Sequence, residues 1–89
     1  MYSFIYSSNF VERYFILIII INDFYYADSA SNLKNELAKQ TKAKNFFIKK
    51  INTNKYRLAL GPFKNFNSLK SIYISLNNLG FDSLDIYKE

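Results

Sequence analysis

The chain has 89 residues, a formal charge of +5, and neither cysteine nor histidine. That length holds one domain with a modest core rather than two. The two missing residue types remove disulfide cross-links, thiolate and imidazole metal ligands, and the commonest nucleophile and base pairs.

Taken in chain order, Met1 to Arg13 shows no hydrophobic periodicity and is expected to be a poorly ordered lead-in or linker remnant, ahead of a domain spanning residues 14–89. Tyr14 to Ile21 is a run of eight apolar residues, less than half of the roughly 20 that cross a bilayer as a helix. It predicts a buried central strand. The same run also fits the apolar core of a secretory signal, with Ala27-Asp28-Ser29-Ala30 as a small-residue cleavage site. Against that reading, Glu12 beside Arg13 leaves no net positive charge ahead of the run.

From Ala27 to about Gln40 the apolar residues Ala30, Leu33 and Leu37 recur at helical spacing, and Asp28 sits in the first turn, where its charge suits the helix dipole. Thr41 to Asn45 is a basic loop. Phe46 to Ile51 reads as a second strand, with either Phe46 and Ile48 or Phe47 and Ile51 turned inward. Asn52-Thr53-Asn54 supplies turn residues for a hairpin. The third strand, Lys55 to Leu60, alternates Tyr56, Leu58 and Leu60 on one face with Arg57, Ala59 and Gly61 on the other. Pro62 has no N–H to give a ladder, so this strand is expected to stop at Gly61-Pro62. Asn65 or Asn67 can cap a second helix whose apolar face is Leu69, Ile72, Tyr73, Leu76 and Leu79, and Gly80 is placed to end it. Leu84 to Lys88 forms a last short strand with Leu84 and Ile86 on one face and Asp85 and Tyr87 on the other. The lysines cluster loosely at Lys39, Lys42, Lys44, Lys49, Lys50 and Lys55, which reads first as a solvated surface that attracts acidic partners at long range.

A shift of thirty-nine residues lays Phe63 on Phe24, Leu58 on Ile19, Leu60 on Ile21, and Leu69, Ile72 and Leu76 on Ala30, Leu33 and Leu37. Two strand-then-helix units therefore follow one another, and two are too few for a solenoid. With right-handed crossovers the order βαββαβ predicts an α+β, ferredoxin-like or RNP-like fold: a four-stranded antiparallel sheet with both helices on one face and strands one and three at the centre. The uncovered face would display Ile18, Ile20 and Asn22 from strand one beside Arg57 and Ala59 from strand three, and any ligand is expected there.

The run Tyr56-Arg57-Leu58-Ala59-Leu60-Gly61-Pro62-Phe63, followed by Leu69, Ile72, Leu76 and Leu79-Gly80-Phe81, resembles the second half of a SPOR domain. Domains of that family are cell-envelope modules that bind peptidoglycan at division sites. The resemblance covers about residues 14 to 88. Where the family carries Gln-x-Gly-x-Phe at the end of its first strand, Ile20-Ile21-Asn22-Asp23-Phe24 keeps only the Phe. The resemblance implies a monomeric, non-catalytic module for peptide-stripped glycan strands, periplasmic or otherwise in the cell envelope at the septum. It also implies a larger envelope protein of which this would be the C-terminal part. Arg57 is then expected to meet the lactyl carboxylate that peptide removal exposes on muramic acid, since guanidinium and carboxylate match as a two-bond fork.

The residues themselves offer no catalytic site. Asp23, Asp28, Glu36, Asp82 and Asp85 are scattered, and with glycine only at 61 and 80 there is no phosphate-cradling loop, so neither an enzyme nor a cofactor or metal is expected. The RNA-recognition motif shares the strand and helix order but stacks bases on aromatics of its central strands. Here those positions hold Arg57 and Ala59, so nucleic acid is the weaker partner. The remaining alternative is a protein interface with a decayed glycan site, built on the apolar patch of Ile18 and Ile20.

Overall fold

A computed structural model describes residues 16–88. The expected lead-in over residues 1–13, and Tyr14 and Phe15 at the start of the expected first strand, lie outside the described residues. The elements are β1 (Leu17–Phe24), α1 (Ala27–Gln40), β2 (Phe46–Asn52), β3 (Lys55–Phe63), α2 (Phe66–Asn78) and β4 (Asp85–Lys88). All strand pairs are antiparallel and the order across the sheet is β2-β3-β1-β4. This is the α+β βαββαβ ferredoxin-like fold, with β1 and β3 central.

Alternation decides which face the helices cover. Ile19, Leu58 and Leu60 project to the helix side and are fully enclosed, joined there by Leu37 of α1 and Leu69 and Leu76 of α2 in one core. Burying each such side chain contributes roughly 1.5–3 kcal/mol. β2 takes the register with Phe46 and Ile48 inward, which settles the choice its sequence left open, and Ile51 at its far end is exposed. The thirty-nine-residue repeat is plain in the element bounds: β1 and β3 end at Phe24 and Phe63, α1 and α2 open at Ala27 and Phe66, and β2 and β4 open at Phe46 and Asp85. Phe63 is buried, and Phe24 is partly buried against the same core.

Both central strands run further than their sequences predict, because each absorbs an irregularity in its ladder. β3 does not stop at Leu60. Its partners step from Ile19↔Leu60 to Leu17↔Phe63, so β3 holds one extra residue in the Gly61-Pro62 stretch. A proline's missing N–H costs nothing at such a bulge, and the strand continues to Phe63. Gly61 is required there: its φ is +149°, and a Cβ would lie 3.0 Å from the Leu17 carbonyl oxygen. β1 likewise does not end at Ile21. Its partners step from Ile20↔Ala59 to Asn22↔Leu58, which places the extra residue on β1, and pairing resumes through Asp23↔Arg57 and Phe24↔Tyr56.

The helices are closed by local chemistry. The Asn65 side chain accepts a hydrogen bond from the Ser68 backbone N–H at 2.9 Å, choosing between the two caps the sequence offered. At the other end Gly80, with φ +104°, lets the Phe81 N–H reach the Leu76 carbonyl at 3.0 Å and that of Gly80 reach Asn77 at 3.0 Å. That is the Schellman arrangement, with Phe81 packed against the core that contains Leu76.

Candidate functional site

The face opposite the helices holds a shallow trough of about 230 Å³, lined by Ile18, Ile20, Phe47, Lys49, Arg57, Ala59 and Tyr87. Each residue is there because of its strand parity. Ile18 and Ile20 alternate with the buried Leu17, Ile19 and Ile21 of β1. Phe47 and Lys49 stand opposite Ala59 and Arg57 across the β2–β3 ladder, and Tyr87 stands opposite Ile18 across β1–β4. Ala59 is only 2% exposed although it lies on the uncovered face, because larger side chains of the neighbouring strands wall it in. The floor is thus aliphatic, and the two aromatics rise from the outer strands, with Tyr87 51% exposed. Strands lie about 4.8 Å apart, so β2 and β4 are separated by roughly 14 Å.

Of the five residues the sequence assigns to this face, four converge on the trough: Ile18, Ile20, Arg57 and Ala59. Asn22 does not. The bulge in β1 puts Ile21 and Asn22 together on the side of Leu58, and a one-residue slip carries every later side chain to the other face. Asn22 therefore lines a separate groove of about 190 Å³ with Ile21, Gly80, Phe81, Asp82, Ser83 and Leu84. Its side-chain oxygen accepts the Asp23 backbone N–H at 2.9 Å. Asp23 takes the place on the open face that unbroken alternation assigns to Asn22.

That exchange changes the electrostatics of the face. Asp23 and Arg57 are ladder partners, and the guanidinium donates from Nε to Oδ1 at 2.8 Å and from Nη2 to Oδ2 at 3.1 Å. The pair is a two-bond fork with both side chains about one-third exposed, at 33% and 32%. The hydrogen bond from Arg57 is the main reason the Asp23 carboxyl is held below its ordinary value, and the reciprocal bond raises Arg57. Asp85, which faces Ile20 across the β1–β4 ladder, adds a second negative charge that favours the Arg57 cation. Lys49 sits beside Arg57 on β2. The polar end of the trough therefore carries two cations and two carboxylates.

No family model, curated protein or solved structure matches this chain. Among the described residues no cluster of three or more carboxylate, histidine or cysteine side chains could hold a metal ion, and no helix is long and apolar enough to cross a membrane.

Sequence reasoning missed Phe47, Lys49, Asp23, Asp85 and Tyr87 as members of the face. Parity alone placed Asp85 and Tyr87 opposite Leu84 and Ile86, which was the available signal for those two. For Phe47 and Lys49 the signal was ambiguous, because both registers of Phe46 to Ile51 turn one phenylalanine and one isoleucine inward.

Proposed function

We propose that this chain is a non-catalytic module of the bacterial cell envelope that binds peptidoglycan glycan strands, stripped of their peptides, along the open face of its sheet. The observation that carries this reading is the trough, with its aliphatic floor, one aromatic on each outer strand and a polar end. A pyranose ring presents C–H bonds on its faces and hydroxyls on its rim. Phe47 and Tyr87 offer flat apolar surface for the former, and Arg57 and Lys49 offer hydrogen-bonding groups for the latter. The trough is smaller than the roughly 300–1,000 Å³ of sites that enclose a small molecule. It lies on the uncovered face of the sheet, where a polymer can be laid across it.

The resemblance of residues 56–63 and 69–81 to the second half of a SPOR domain supports the same ligand and a place at the division septum. Single-stranded RNA is disfavoured by the distribution of aromatics: the two central strands present Ile18, Ile20, Arg57 and Ala59, with no aromatic at the positions where an RNA-recognition motif stacks bases. Co-sedimentation with intact sacculi, amidase-stripped sacculi and single-stranded RNA tests the proposal. Retention is expected on stripped sacculi above intact ones and not on RNA. Equal recovery in the supernatant with both kinds of sacculi would refute it.

A further inference from the structure

We infer that Asp23 determines which unit of a stripped strand the open face seats. With one edge of Arg57 held and a negative charge beside it, the face takes the neutral, hydroxyl-rich units and leaves the carboxylate-bearing units outside. A stripped strand is then preferred for the peptide bulk it has lost and not for the carboxylate it has gained. This deepens the glycan reading and rests on it. A ligand carboxylate approaching Arg57 finds the Nε–Nη2 edge already held by Asp23, at 2.8 and 3.1 Å, and has only the Nη1–Nη2 end left to it. Guanidinium has five N–H donors, so three remain, two on Nη1 and one on Nη2, and what decides between neutral and acidic acceptors there is the charge around them. A carboxylate approaching those three would meet the charge of Asp23 behind them and of Asp85 across β1, with Lys49 as the compensating cation. The overall charge of +5 is therefore no guide to this face. The origin of the device is the β1 bulge, since without the extra residue Asn22 would stand opposite Arg57.

The experiment is a pair of NMR titrations of the wild type and Asp23→Asn, with N-acetylglucosamine and N-acetylmuramic acid, following the Arg57 Nε–H and the methyls of Ile18 and Ile20. The wild type should bind the neutral sugar more tightly. Asp23→Asn should tighten binding of the acidic sugar about tenfold, equivalent to about 1.4 kcal/mol, with the neutral sugar changed less than about twofold. An unchanged ratio of the two affinities, or a wild type that prefers the acidic sugar, would overturn the inference. If neither sugar perturbs the open face of either protein, glycan binding itself fails, and acetate then decides the role of Asp23 separately. It should shift the Arg57 Nε–H of Asp23→Asn at concentrations that leave the wild type unmoved, and an equal response in both proteins would show that Asp23 does not compete for the fork.

Discussion

The two faces of this sheet are made from the same four strands, yet the core of one follows the alternation of the sequence and the polar end of the other does not. On the helix side Ile19, Leu58, Leu60 and Phe46 meet Leu37, Leu69 and Leu76 in a single core. On the open side the decisive neighbours are Asp23 and Arg57, thirty-four positions apart and joined only because β1 carries an extra residue. Packing fixes the first face and tolerates little change. The second is free to be set by one irregularity, and there the structure places its polar chemistry.

This contrast is open to test, and the covered face should give the largest effect. Leu58→Ala removes a fully buried side chain at the centre of the sheet and should lower unfolding free energy by about 2–5 kcal/mol, read by urea denaturation. The fraction that remains folded should bind stripped sacculi as the wild type does. Next comes Gly61→Ala, which forces a Cβ to 3.0 Å from the Leu17 carbonyl at a φ of +149°. It should cost about 1–3 kcal/mol of stability, and a thermal melt within error of the wild type would show that the β3 bulge relaxes without strain.

The open face should respond the other way round. Tyr87→Ala removes a half-exposed ring and should leave stability within about 0.5 kcal/mol, while weakening sedimentation with stripped sacculi by more than about 1 kcal/mol, as for an aromatic contact that matters. A variant that melts early but binds normally would reverse the roles of the two faces.

The smallest effect belongs to the ion pair. Because the folded chain holds the Asp23 carboxyl below its ordinary value of 3.8, the stability this pair contributes is fully present above that value. It is lost as pH falls through the lower folded one. With both groups about one-third exposed, its size should be only a few tenths of a kcal/mol. Asp23→Asn should accordingly flatten the acid limb of the stability profile slightly and leave stability at pH 7 almost unchanged, as read by melts from pH 2 to pH 7.

How much of this was legible beforehand follows from the same contrast. α1 has the bounds that the spacing of Ala30, Leu33 and Leu37 predicts, and α2 is closed by Asn65 and Gly80 as their side chains and φ preferences require. The central position of β1 and β3 follows from their apolar alternation together with the strand and helix order. What alternation could not reveal was where it is broken. Asn22-Asp23 reads as the end of a strand and Gly61-Pro62 as a stop, because polar and proline residues usually terminate ladders. In the folded chain each pair lies at a bulge that lets the ladder continue, and such bulges depend on partners more than thirty residues away. Hence Asn22 was placed on the face that Asp23 occupies, and the partner that holds the Nε–Nη2 edge of Arg57 went unseen.

The central claim is that the open face, and not the helices or the groove beside Asn22, meets the glycan. The most direct measurement is a backbone and methyl NMR map of the labelled chain as soluble, peptide-free glycan strands are added. Shifts should concentrate on Ile18, Ile20, Phe47, Arg57, Ala59 and Tyr87 and spare the exposed positions of α1 and α2. Shifts confined to the helices, or to Gly80 through Leu84, would contradict the assignment of the site.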